Sequence, residues 1–278
     1  MLIWLASYPK SGNTLLRAML ASYFFSPTGD FDFNLLINIK QFPSNQFLNN
    51  LNININDDNE VSKNYIKAQA KFNKKNAIQF VKTHSGFYKF NGHAFTNFDI
   101  TLGAIYVVRD PRNVVESCSR HFQCSIETSL DYLINGLTLT RNERHPMTAV
   151  GTWKQNYESW RTLRKLDRYL LIKYEDLINS KRATFLTILN FIKKISGSSF
   201  LIDDKKIDQV CKTTSFEKMQ KLEKDKGFYE SVKNKTTKEK IEFFKSGPDI
   251  DRKKIVKIEN IKKLEKTFKK ELKDLGYI

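Results

Sequence analysis

Leu2-Ile3-Trp4-Leu5-Ala6-Ser7-Tyr8-Pro9-Lys10-Ser11-Gly12-Asn13-Thr14-Leu15-Leu16-Arg17 opens the chain and decides how the rest is read. Residues 2–6 are an apolar run that suits a buried strand. Pro9-Lys10-Ser11-Gly12 makes a tight polar turn, and Thr14-Leu15-Leu16-Arg17-Ala18-Met19-Leu20 has helical spacing. A strand, a polar turn and a helix start form an anion cradle: the helix offers unpaired N–H groups and the positive end of its dipole. Gly12 lets the backbone approach a ligand closely, Ser11, Asn13 and Thr14 add side-chain donors, and Lys10 adds a cation. The alternative is an ordinary link whose polar residues only cap the helix. The triphosphate-binding loop G-x-x-x-x-G-K-[ST] is excluded, because Lys10 precedes Gly12 and no Gly-Lys-Ser or Gly-Lys-Thr occurs. A phosphate or sulfate group is therefore expected, without magnesium triphosphate.

The same alternation continues downstream. Residues 77–84 read as a strand ending in Lys82-Thr83-His84. Residues 103–108 are the clearest buried strand, ending at Arg109-Asp110-Pro111-Arg112 with a helix from about Asn113. Residues 125–140 and 152–166 read as helices, 169–173 as a strand ending at Tyr174-Glu175-Asp176, and a helix through Phe185, Ile188, Leu189 and Ile192 follows. Strands alternating with helices imply an α/β fold with a central, mainly parallel sheet flanked by helices. Ligands of such folds sit beyond the C-terminal strand ends, where all four polar clusters fall. The Asn-rich residues 41–64 read as a surface excursion or lid, and residues 251–275 as one amphipathic helix with a lysine-rich face. Trp153 and Trp160 are expected in the core, and His121 is read as structural.

With 278 residues, 40% hydrophobic and 13% aromatic, the chain can bury a real core as one large α/β domain or two small ones; a single domain spanning 1–278 is expected. Its net charge of +17 suits a polyanionic partner, but acidic residues are interspersed with the lysines, so no nucleic-acid partner is expected. The three cysteines have no metal spacing, and no carboxylate cluster suits a metal, so none is expected. There is no signal-peptide pattern and no apolar run of membrane-spanning length, so a cytoplasmic location is expected.

Taken in order, these motifs resemble the sulfotransferases that use 3′-phosphoadenosine 5′-phosphosulfate (PAPS). Tyr8-Pro9-Lys10-Ser11-Gly12-Asn13-Thr14 looks like the family's 5′-phosphosulfate loop, and Lys82-Thr83-His84 like its Lys-Thr-His element. Arg109-Asp110-Pro111-Arg112-Asn113-Val114-Val115-Glu116-Ser117 looks like its 3′-phosphate motif. Gly151-Thr152-Trp153, Ser159-Trp160, Tyr174-Glu175-Asp176-Leu177, Thr214-Ser215-Phe216 with Met219, and Leu275-Gly276-Tyr277 follow in family order. The resemblance implies a P-loop-like three-layer sandwich with PAPS as cofactor and 3′,5′-adenosine diphosphate (PAP) as product, and no metal. It implies that Lys10, Ser11, Gly12, Asn13 and Thr14 hold the 5′-phosphosulfate and that Arg109 and Ser117 hold the 3′-phosphate. Tyr174 and Thr214 would line the adenine, Lys82 would sit beside the sulfuryl group, and His84 would be the general base. The acceptor would be a hydroxyl or amine of a small molecule, lipid or glycan. Two departures stand out. Leu15 replaces a Trp common in the family, with Phe216 a candidate for stacking on adenine instead. The late Arg-Lys-Gly element appears as Lys245-Ser246-Gly247, where Lys245 keeps the charge but not the guanidinium fork. Competing readings are a nucleotide phosphotransferase and a non-catalytic anion, nucleotide or polyanion binder.

Overall fold

Strand β1 (Leu2–Ser7) pairs in parallel with β2 (Gln79–Thr83) on one side and with β3 (Thr101–Val108) on the other. Strand β4 (Tyr169–Lys173) adds in parallel to β3, so the sheet order is β2-β1-β3-β4. The computed structural model describes residues 1–73, 77–234, 236–245 and 256–278. Every residue of β1 is buried because both faces of the sheet are covered, which is why the strand reads as an unbroken apolar run. Side chains alternate: Leu2, Trp4 and Ala6 enter one core with Tyr106, Trp153, Trp160 and Phe268. Ile3 and Leu5 enter the other with Ile105, Phe185, Ile188 and Leu189. This is the expected α/β architecture, with helices on both faces of a parallel sheet.

Helix α1 (Asn13–Phe25) starts on the turn that closes β1. Helix α2 (Pro111–Phe122) starts two residues before Asn113, because Pro111 fits the first helical position and the Asp110 carboxylate accepts the Arg112 amide at 2.9 Å.

Several expectations are corrected. The helix expected over 125–140 is Ile126–Asn135; Gly136, at φ 117°, ends it, and Leu137–Leu139 pairs antiparallel with Thr148–Gly151. The one expected over 152–166 is α-helical only over Trp153–Trp160, capped by Thr152 with Gln155, and tightens to a 3-10 helix over Arg161–Leu166. The Asn-rich 41–64 segment holds short helices at Asn45–Leu48, Asn49–Leu51 and Asp58–Lys63. Its Phe42, Leu48, Leu51 and Val61 are buried in the Trp4 core, because apolar residues scattered among the asparagines are enough to pin it down. The tail expected as one helix over 251–275 is two, Ile258–Thr267 and Lys269–Asp274; residues 251–255 lie outside the described residues. The break falls at Phe268, whose buried ring sits 5.0 Å from that of Trp153. Among the described residues no helix is long and apolar enough to cross a membrane.

Candidate active site

The four parallel strands deliver their polar ends to one cleft of about 1450 Å³. Lys10 and Gly12 take left-handed backbone, at φ 64° and 103°, and bend the chain from β1 into α1. A Cβ on Gly12 would lie 2.4 Å from Cδ2 of Tyr174, so both the backbone angle and the ring across it demand glycine. The first amides of α1 have no partner within the helix and sit at the floor of this cleft. Ser11 Oγ is buried with no hydrogen-bond partner among the described residues. Asn13 lines the cleft with its side-chain donor already used: Nδ2 donates to Leu5 O at 2.8 Å and to Ser7 Oγ at 3.2 Å, tying the loop to the strand. Thr14 Oγ1 donates to Glu230 Oε2 at 3.3 Å.

The end of β2 supplies Lys82 and His84. Asn156 Nδ2 donates to His84 O at 2.9 Å, and Trp160 Nε1 to Ser85 O at 3.0 Å, so core residues grip the backbone around the imidazole. His84 Nδ1 lies 2.9 Å from Ser7 O. A carbonyl only accepts, so Nδ1 carries the proton and Nε2 keeps its lone pair. Burial, with Lys82 alongside, pulls His84 down to about 3, so the ring is neutral.

The end of β3 supplies Arg109, whose guanidinium lies 4.4 Å from the Tyr174 ring centroid and donates through Nη1 to Lys10 O at 3.2 Å. Its Nε is buried and unpartnered among the described residues. The acids that flank Arg109 pair with other arginines: Asp110 with Arg112 and Glu116 with Arg120. Ser117, on α2, lines the same side of the cleft, so the two residues expected to share a phosphate are brought together there. An apolar wall of Leu15, Ile178, Phe216 and Met219 also lines the cleft, joined by Thr214, whose Oγ1 is spent on Val210 O at 2.7 Å.

Not all of the site was read from sequence. Arg17 belongs to the opening stretch yet was given no role; its Nη1 lies 2.5 Å from Glu230 Oε1. Lys82 Nζ lies 3.2 Å from the same oxygen. Burial alone would raise the Glu230 carboxyl, but Lys82 and Arg17 outweigh it and hold it far below the usual carboxylate range. Glu230 has no local signature, since its partners are more than 140 residues away in the chain. His121, read as structural, lines the cleft, its ring 6.3 Å from that of Phe243. Phe243 in turn covers Lys10, with Nζ 3.7 Å from the ring centroid, and burial brings the Lys10 ammonium down to about 7. Lys245 is exposed and is not among the residues that line the cleft; Ser246 and Gly247 lie outside the described residues. Among the described residues no group of His, Cys, Asp or Glu is placed to hold a metal.

A family model for the sulfotransferase domain matches residues 2–276. The chain belongs to the sulfotransferase family. Rat sulfotransferase 2A6 is 23% identical to this chain over 154 residues, 52% of this chain and 48% of the relative. Mouse sulfotransferase 2A2 is 22% identical over 190 residues, 65% of this chain and 60% of the relative. The chain thus spans about half the length of the curated relatives it matches. Among solved structures, mouse sulfotransferase SULT7A1 complexed with PAP superposes with a TM-score of 0.61 at 14% identity, covering 99% of this chain and 86% of that one. Retinol dehydratase in complex with retinol and PAP gives 0.64 at 18% identity, covering 98% and 81%. At these identities the likeness is one of fold, and it agrees with the P-loop-like sandwich expected from the motifs.

Proposed function

We propose that this protein is a PAPS-dependent sulfotransferase that sulfates a hydroxyl or amine of a small-molecule, lipid or glycan acceptor. The observation that carries this reading is a pair of anion-binding groups meeting in one cleft, the α1 turn with Lys10 and the Arg109 side with Ser117. Arg109, which lines the cleft, has a buried Nε without a protein partner among the described residues, and Ser11, in the turn that leads into α1, has a buried Oγ likewise unpartnered. A buried polar group left unpaired is costly, and one at each of two strand ends fits a ligand with two phosphate-type groups. The apolar wall that lines the same cleft fits a base, with Leu15 and Phe216 in place of an aromatic on α1. PAPS, when bound, supplies an activated sulfuryl group on a phosphate leaving group.

The residues divide the work as follows. The α1 amides, Ser11, Thr14 and Lys10 bind the 5′ end and stabilise negative charge there. Arg109 and Ser117 bind the 3′ end, and Tyr174 and Thr214 flank the base. Lys82 places a cation beside the transferring group. His84, neutral and with Nε2 free of its proton, takes the acceptor proton. Relatives crystallised with retinol or androsterone support a small-molecule acceptor.

The test is thermal denaturation with millimolar PAP. The wild-type protein is expected to melt several degrees higher with PAP, as for any ligand in large excess over its Kd. Lys10→Ala and Arg109→Ala are expected to abolish the shift. His84→Ala is expected to keep the shift while losing roughly 10²–10⁴-fold in turnover of labelled PAPS. No stabilisation of the wild type would sink the reading, and a fully active His84→Ala would remove His84 as base.

A further inference from the structure

Glu230 lies where an anionic ligand is expected to lie. Its Oε1 accepts from Arg17 Nη1 at 2.5 Å and from Lys82 Nζ at 3.2 Å, and its Oε2 accepts from Thr14 Oγ1 at 3.3 Å. A hydroxyl, a guanidinium and an ammonium converging on two oxygens is how a phosphate or sulfate would be held. Tyr229 joins the cluster, its hydroxyl accepting from Arg17 Nη2 at 3.1 Å. The chain on either side is fastened in place. The Glu223 carboxylate accepts from the Phe243 and Phe244 amides and from Ser231 Oγ. The Phe228 ring stacks on Phe33 at 4.4 Å.

We propose that Glu230 is an internal counter-anion that competes with the phosphosulfate end of the donor for Lys82, Arg17 and Thr14, and that the donor must displace it. This inference rests on the PAPS reading of the cleft. Arg17 and Lys82 have side chains only 3% and 8% exposed, so without a bound anion they need a counter-charge from the protein. Glu230 meets that need with one negative charge, whereas a phosphosulfate brings two, so the exchange is electrostatically downhill. Displacement releases Lys82 from its carboxylate and leaves it to the transferring group. It also sets selectivity. A free oxyanion must evict the same carboxylate without the contacts that the nucleotide makes at Tyr174, Arg109 and Ser117. Glu230 therefore discriminates against inorganic anions and lowers donor affinity below what the bare cradle would give.

Calorimetric titration of wild type, Glu230→Gln and Glu230→Asp with PAP and with inorganic pyrophosphate tests this. Glu230→Gln is expected to melt lower unliganded, yet to bind both ligands about tenfold more tightly or better, the scale of one lost competing charge pair. Glu230→Asp, a methylene shorter, is expected to fall between. A residue that is only a strut would lower the melting point and leave both affinities equal or weaker, which overturns the inference. If Glu230→Gln does not fold, the same comparison is made with Glu230→Asp. A different result marks failure of the cofactor reading: PAP binding no tighter than pyrophosphate in any of the three proteins. The pyrophosphate ratio still decides the role of Glu230 in that case.

Discussion

Lys10 is the residue on which charge and geometry meet. It sits in left-handed backbone at the turn, accepts the Arg109 guanidinium on its carbonyl, and keeps its ammonium under the Phe243 ring. Burial brings that ammonium to about 7. The group binds fewer protons folded than unfolded between pH 7 and the ordinary lysine range. The cost of burying its charge is therefore present below pH 7 and relieved as pH rises. Ligand binding has the opposite sign, because an anion needs the ammonium and must draw a proton onto Lys10 above pH 7. PAP affinity is expected to fall roughly tenfold from pH 7 to pH 8.5, and Lys10→Met is expected to flatten the profile. Titration calorimetry across that range checks it; an unchanged slope in Lys10→Met would assign the proton elsewhere.

At the scale of elements, the start of α2 and the chain end are bound into one unit by Arg112. Its guanidinium pairs with Asp110, reaches Glu265 Oε1 at 2.5 Å and donates to Tyr277 O at 2.9 Å. Tyr277 OH donates to Glu175 Oε2 at 2.8 Å, and Glu175 Oε1 accepts the Asp110 amide at 3.3 Å, so the ends of β3 and β4 are joined behind the cleft. The Asp110 side chain is only 3% exposed, and losing its arginine leaves a buried carboxylate poorly compensated. Arg112→Ala is expected to cost about 3–5 kcal/mol in denaturant unfolding, with Arg112→Lys recovering part. The elements themselves were legible where periodicity is strong: β1, β3, α1 and the helix at Lys181–Ser196 lie where their apolar spacing places them. Two of those misjudged, the helix from Ile126 and the tail, are ended by single residues, Gly136 and Phe268, whose effect depends on what packs beside them.

Across the whole molecule the sheet separates two cores, and the cleft lies at one edge of both. Phe185 is fully buried in the face away from Trp4, against the Tyr23 ring at 5.7 Å. Phe185→Ala is expected to cost about 3–5 kcal/mol of stability while the folded protein binds PAP within about twofold of wild type, since it does not line the cleft. Urea unfolding and calorimetry on the same sample separate the two effects. The strand–turn–helix at the start of the chain, the polar strand ends and the family were all readable in the linear order of residues. Each rests on neighbours a few positions apart, and parallel strands carry their polar ends to one side whatever the loops do. The counter-charge in the cradle was not readable. Glu230 reaches Arg17 across 213 positions, and nothing in its own surroundings distinguishes it from the other acids of a lysine-rich stretch. Only the folded chain, by burying Arg17 and Lys82 side by side, creates the electrostatic demand that Glu230 meets.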